Sequence, residues 1–94
     1  MTWLHVVDDA RGSMDAYAKV LEAIGEPPRG LLARFAGPMA QGIRVVSVWD
    51  SPEDANRFFT ERLGPAFAQV YGEPGGAPVS TDLEVADLYL RSGG

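Results

Sequence analysis

The chain has 94 residues, with 13 acidic and 8 basic side chains, one histidine, no cysteine and 46% apolar residues. This length predicts one small domain, residues 1–91 followed by a tail at 92–94, burying roughly 60 to 65% of its unfolded surface. The absence of cysteine excludes a disulfide scaffold, a thiolate metal site and a cysteine nucleophile, while a net charge of −5 argues against nucleic acid and anionic membrane surfaces as partners. No apolar run approaches the roughly 20 residues that span a bilayer. The opening Met1-Thr-Trp-Leu-His lacks the basic and long apolar regions of a signal peptide, so the expected location is the cytoplasm.

Trp3-Leu4-His5-Val6-Val7 is β-rich and closes on Asp8-Asp9, which predicts a strand and a turn. Ser13 then caps a helix, with Asp15 in the first turn and Met14, Tyr17, Leu21 and Ile24 at helical spacing. Gly25 and Pro27-Pro28 end it. Leu31–Phe35 and Ile43–Trp49 read as two strands of a hairpin around the Gly/Pro-bounded turn 37–42. Ser51-Pro52-Glu53-Asp54 starts a second helix, with serine at the cap, proline at the first position and two acids in the first turn. Its apolar face is Ala55, Phe58, Phe59 and Leu63, and Gly64-Pro65 predicts a kink or a second short helix. Residues 72–82 read as the longest loop, and the alternation in Glu84–Arg91 predicts a fourth strand. The order β-α-β-β-α-β with right-handed crossovers gives a ferredoxin-like α+β sandwich, a four-stranded antiparallel sheet with both helices on one side.

Alternation sorts each strand into two faces. Leu4, Val6, Leu31, Ala33, Phe35, Val46, Val48, Ala86, Leu88 and Leu90 are uniformly apolar, which places them under the helices. The opposite set carries Trp3, His5, Val7, Leu32, Arg34, Val45, Ser47, Trp49, Val85, Asp87 and Tyr89. Left in water it would form an apolar patch larger than monomers normally expose. A homodimer closed sheet to sheet is therefore expected, with a cavity between the sheets.

The stretches Gly30–Pro38, Arg44–Ser51 and Arg57–Pro65 resemble small proteins of the dimeric α/β-barrel superfamily, which includes the antibiotic-biosynthesis monooxygenases. The strand-ending Trp49-Asp50-Ser51 before an acidic helix start is the most specific element. The resemblance implies the same fold and a dimeric barrel, and it leaves the reaction open among oxygenases, isomerases, haem-degrading enzymes and proteins without known activity. Many members place a histidine on the second helix about nine residues after the aromatic that ends the third strand. Here that position is Phe58, which ligates nothing. The asparagine associated with oxygenase activity on the first strand is also missing from Trp3–Val7.

His5 is the one side chain whose ordinary titration lies near neutral pH. The first and fourth strands are neighbours in this topology, so His5 and Asp87 are expected side by side, a carboxylate orienting an imidazole for general-base catalysis. A histidine packed at an interface and bonded to a carbonyl is the structural alternative. Arg34 offers a planar fork for a carboxylate or phenolate, or else guards an edge strand. Trp3, Trp49 and Tyr89, with Ser47 among them, would line a site for a planar ligand, or simply fill the interface. One histidine without cysteine predicts no transition-metal site and no metal or other cofactor. Neither a phosphate-binding loop nor a nucleophile elbow is present.

Two functions follow. One is a small dimeric barrel protein receiving a planar organic molecule, with cofactor-independent monooxygenation or proton-abstracting isomerisation as its chemistry and His5 as base. The other is a non-catalytic ligand-binding or assembly protein in which the polar residues satisfy one another.

Overall fold

A computed structural model describes residues 1–72 and 79–89. In chain order the elements are β1 (Trp3–Asp9), α1 (Met14–Ile24), β2 (Leu31–Pro38), β3 (Ile43–Trp49), α2 (Pro52–Phe58), a π-helical turn (Phe59–Leu63), α3 (Gly64–Tyr71) and β4 (Val79–Glu84). The strands form one antiparallel sheet in the order β2-β3-β1-β4, the arrangement expected of a ferredoxin-like sandwich.

The helices begin where the sequence provides caps. Ser13 Oγ accepts from the Ala16 amide at 3.1 Å, and Ser51 Oγ accepts from the Asp54 amide at 3.2 Å, each satisfying a backbone donor that the first turn leaves unpaired. Gly25 ends α1 with φ at 81°, a conformation that glycine adopts without strain. The interruption at Gly64-Pro65 takes the form of the π-helical turn. Pro65 has no amide hydrogen and its ring crowds the preceding turn. The chain widens there, and the Gly64 amide donates to the Phe59 carbonyl five residues back.

Two expectations are corrected. The fourth strand is Val79–Glu84 rather than Glu84–Arg91; beyond it the Val85 amide makes one further bond to the Thr2 carbonyl at 2.9 Å, and residues 85–89 form no strand. Leu90, Arg91 and the expected tail at 92–94 lie outside the described residues. The faces of the sheet are also the reverse of those expected. Trp49 is 1% exposed and forms a core with Ala55 and Phe58, against which Trp3, Ile24, Leu31, Phe59 and Leu63 pack. The set carrying His5, Ser47 and Trp49 is the one under the helices. Leu4, Val6, Ala33, Phe35, Val46 and Val48 lie on the other, with Leu83 of β4 beside them by register. A bulge between Leu31 and Ala33 puts Leu31 opposite Trp49 and Arg34 opposite Ser47, so Leu31 joins the helix side. The physical reason is size and pairing: the Trp49 indole packs against Phe58 and Phe59 under the helices, and the two buried polar side chains at the row's centre are bonded, His5 to Asp82 and Ser47 to the Trp49 indole.

Candidate functional site

The register brings four polar side chains to one level of the helix-covered face. Asp82 of β4 is opposite His5 of β1, His5 is opposite Ser47 of β3, and Ser47 is opposite Arg34 of β2. Each strand contributes one member, and adjacent members stand one strand spacing apart, about 4.8 Å. Carboxylate, imidazole, hydroxyl and guanidinium thus form a row across the whole sheet.

His5 is 9% exposed, and its Nδ1 is hydrogen-bonded to Asp82 Oδ1. A neutral ring donating through Nδ1 leaves Nε2 as the basic nitrogen. The Asp82 side chain is 41% exposed, so the pair reaches solvent at the edge of the sheet. Phe59, the first residue of the π-helical turn, lies against the imidazole with ring centroids 4.3 Å apart. The Trp49 Nε1–H donates to Ser47 Oγ at 2.9 Å. That bond occupies an acceptor site of the hydroxyl and leaves its own proton to be donated elsewhere.

Above the row is an apolar cavity of about 70 Å³ between the sheet and the helices. His5, Val7, Arg34 and Ser47 line it from the sheet, Tyr17 and Val20 from α1, and Phe59, Phe67 and Tyr71 from the π-helical turn and α3. This cavity lies within one chain, on the opposite side of the sheet from the space expected between two sheets of a dimer. Burial pushes the Tyr17 hydroxyl above its ordinary pKa, opposed by the Arg34 guanidinium. Burial also raises that of Tyr71, with the Asp9 carboxylate adding to it and Arg11 opposing. Both phenols therefore stay protonated through neutral pH. Among the described residues no three of His, Cys, Asp and Glu converge where a metal ion could be held.

The expected site residues divide cleanly. His5, Ser47 and Arg34 come together in the row; Trp49 and Trp3 are on the same face, as core rather than as the lining of an interface. Asp87 and Tyr89 do not belong to it: both are exposed in the segment after β4, Tyr89 to 82%. The displaced strand is the reason, because it brings Asp82 to the position beside His5 that Asp87 was expected to hold. Sequence reasoning missed Asp82, Phe59, Tyr17, Tyr71 and Asp9. Helical spacing from Met14 already set Tyr17 on the buried face of α1; in β4, exposed throughout, the alternation of Val79, Thr81 and Leu83 with Ser80, Asp82 and Glu84 is the signal that could have found Asp82.

Several solved structures share the fold. A putative antibiotic biosynthesis monooxygenase from Chloroflexus aurantiacus superposes with a TM-score of 0.68 at 17% identity, covering 95% of this chain and 97% of that one. The fold is that of the antibiotic-biosynthesis-monooxygenase-like ferredoxin proteins. Within this fold group, a monooxygenase from the gene ActVA-Orf6 of Streptomyces coelicolor, in complex with the ligand nanaomycin D, gives 0.60 at 17% identity over 97% and 92% of the two chains. A dimeric ferredoxin-like protein of unknown function from Jannaschia sp. CCS1 gives 0.64 at 14% identity over 90% and 100%. No protein-family model and no curated sequence matches the chain. Among the described residues no helix is long and apolar enough to cross a membrane.

Proposed function

We propose that the cavity under the helices receives a planar organic molecule and that His5 abstracts a proton from it, in cofactor-independent oxygenation or in isomerisation. The observation that carries this reading is the row Asp82–His5–Ser47–Arg34, of which His5, Ser47 and Arg34 line the cavity. Asp82 holds the ring by Nδ1 and leaves Nε2 to act as base. Ser47 and Arg34 stand on the side away from Asp82, where a hydroxyl proton and a guanidinium stabilise negative charge developing on a substrate oxygen. The aromatic walls suit a flat ring system, and a ligand-bound monooxygenase shares the fold.

An anthrone tests this directly. Loss of a proton from its ring CH2 gives a delocalised oxyanion, and dioxygen then converts that anion to the quinone with release of water. Solvent deuterium exchange at the CH2 without oxygen reads proton abstraction alone. Wild-type protein is expected to accelerate exchange, and His5→Ala to lose roughly a hundredfold or more of that acceleration. Equal rates for the two proteins would contradict the assignment.

One observation favours the second reading, a non-catalytic ligand-binding or assembly protein. The cavity of about 70 Å³ holds a few water molecules and is smaller than the 300 Å³ or so of common ligand pockets. Ring-sized ligands enter only if Phe59, Phe67 or Tyr71 swing aside, so saturable binding of an anthraquinone separates a working pocket from a filled one.

We also propose that the open face of the sheet closes on a second copy of the chain. Its two central rows, Leu83–Leu4–Val48–Ala33 and Thr81–Val6–Val46–Phe35, are apolar but for Thr81. Phe35 is 56% exposed in the single chain. Val48 is already covered at 4% exposure, but leaving Phe35 and Leu83 wet is costly, and an identical sheet is a natural cover. The dimeric relative supports this reading.

A further inference from the structure

The π-helical turn is tied to the end of α1 by one side chain. Arg62 Nη2 donates to the carbonyls of Ile24 and Glu26, both at 2.6 Å. Ile24 is the last residue of α1, and Glu26 follows its Gly25 cap. A helix end leaves carbonyls unpaired and carries partial negative charge, and α1 has no basic residue in its own last turn. The cation that satisfies this end comes instead from Arg62, which does not line the cavity. Among the described residues no other side chain of the turn makes a hydrogen bond, and none of its five residues is buried. Pro65, just beyond, offers the turn no amide hydrogen and leaves it one backbone bond short.

Phe59 opens the same turn, three residues before Arg62, and lies against the His5 imidazole with centroids 4.3 Å apart. Its backbone stands where α-helical bonding gives way, its amide shared between the carbonyls of Ala55 and Asn56. Phe59, Leu63, Phe67 and Tyr71 recur at every fourth residue. Along an unbroken α-helix each such step rotates by about 40° from the last. The widened turn takes up part of that drift, and all four side chains line the cavity.

We infer that Arg62 is a positioning residue for His5, acting through Phe59. By tying the turn to the end of α1, it keeps the Phe59 ring against one face of the imidazole while Asp82 holds Nδ1. One contact on the face and one at the edge set the direction in which Nε2 points. The inference rests on the proposed role of His5 as base and extends it to a side chain that meets no substrate.

The histidine reports on this contact without any substrate. At a pH where the ring is neutral, ring current from Phe59 displaces the His5 ring-proton resonances, and Phe59→Leu should remove that displacement. Arg62→Gln is expected to lose most of it. Arg62→Lys, which keeps a cation but not the planar fork, is expected to lose only part. In the anthrone exchange assay without oxygen, Arg62→Gln should lower the acceleration roughly tenfold, the scale of a displaced catalytic group. It should have no further effect in Phe59→Leu protein, because both changes break the same contact.

His5 resonances at their wild-type positions in Arg62→Gln would overturn the inference, since Arg62 would then cap α1 and affect stability alone. Additive losses of exchange in the double variant would overturn it too. Should Arg62→Gln not fold, Arg62→Lys decides in its place: a partial displacement supports the inference and a wild-type spectrum contradicts it. Wild-type protein that does not accelerate exchange would overturn the base reading, and with it the bearing of Arg62 on the reaction, a result distinct from unchanged His5 resonances.

Discussion

The two faces of the sheet are built from similar proportions of apolar residues, yet they differ in what their polar atoms do. On the helix-covered face, Asp82, His5, Ser47 and Arg34 fall at one level, and the indole of Trp49 donates into the row through Ser47. One residue along each strand, the open face carries Leu83, Leu4, Val48 and Ala33, and its one ion pair among the described residues, Arg44 to Asp8 at 2.6 Å, stands two rows away. Polar groups can be buried when they are bonded: His5 and Ser47 are buried and bonded at the centre of the row, while Asp82 and Arg34 are exposed on the two edge strands, an arrangement that fits the proposed chemistry beside the cavity. A face of short aliphatic side chains with its ion pair displaced from the centre is equipped for another sheet. The site and the proposed dimer contact thus occupy opposite sides of the same four strands.

The contrast breaks most visibly at Trp49. As a core residue, Trp49→Ala should cost about 3–5 kcal/mol in urea unfolding and leave Ser47 without its donor. Were the indole instead an interface residue, the variant would show a concentration-dependent mass with near-normal stability of the protomer. On the other side, Phe35→Asp should convert a dimer of twice the chain mass to a monomer by light scattering while circular dichroism stays unchanged, because a buried, unpaired carboxylate is excluded from a sheet-to-sheet contact. A wild-type mass equal to one chain would remove the proposed dimer altogether.

Much of the fold is legible in the sequence because local signals and tertiary packing agree. Ser13 and Ser51 cap the helices as their spacing predicts, and Gly64-Pro65 breaks the second helical stretch. β4 is only weakly legible: Val79, Thr81 and Leu83 alternate with Ser80, Asp82 and Glu84, but the strand is an edge exposed along its whole length, and with two apolar residues its pattern is fainter than that of the run after it. The alternating run after it attracts the assignment instead. Which face of the sheet meets the helices is not legible either, because when both faces are apolar, periodicity separates them without naming them. His5, Ser47 and Arg34 were recoverable as one face from alternation alone. Asp82 was not, because its place beside His5 depends on the register of that edge strand.

A smaller effect sharpens the account of the cavity. Tyr17 and Tyr71 have hydroxyls raised above the ordinary value of 10.0, by burial first in both cases. A raised value means that the folded protein holds the proton more tightly than the unfolded chain does. The stabilisation is complete below the ordinary value and is lost as pH rises through the folded one. Wild-type stability should therefore decline above about pH 10, and Tyr17→Phe and Tyr71→Phe should each make the decline shallower in alkaline denaturation. An identical alkaline profile in both variants would show that neither hydroxyl is buried against the cavity.

The central claim, that the imidazole is held by β4 through Asp82 with Nε2 left as the base, is tested most directly by nitrogen NMR of the single histidine. The wild-type neutral ring should be the Nδ1–H tautomer. Asp82→Asn should redistribute the proton between the two nitrogens, whereas Asp87→Asn should leave the spectrum unchanged. A ring with its proton on Nε2 in the wild type, or a response to Asp87→Asn in place of Asp82→Asn, would contradict the account.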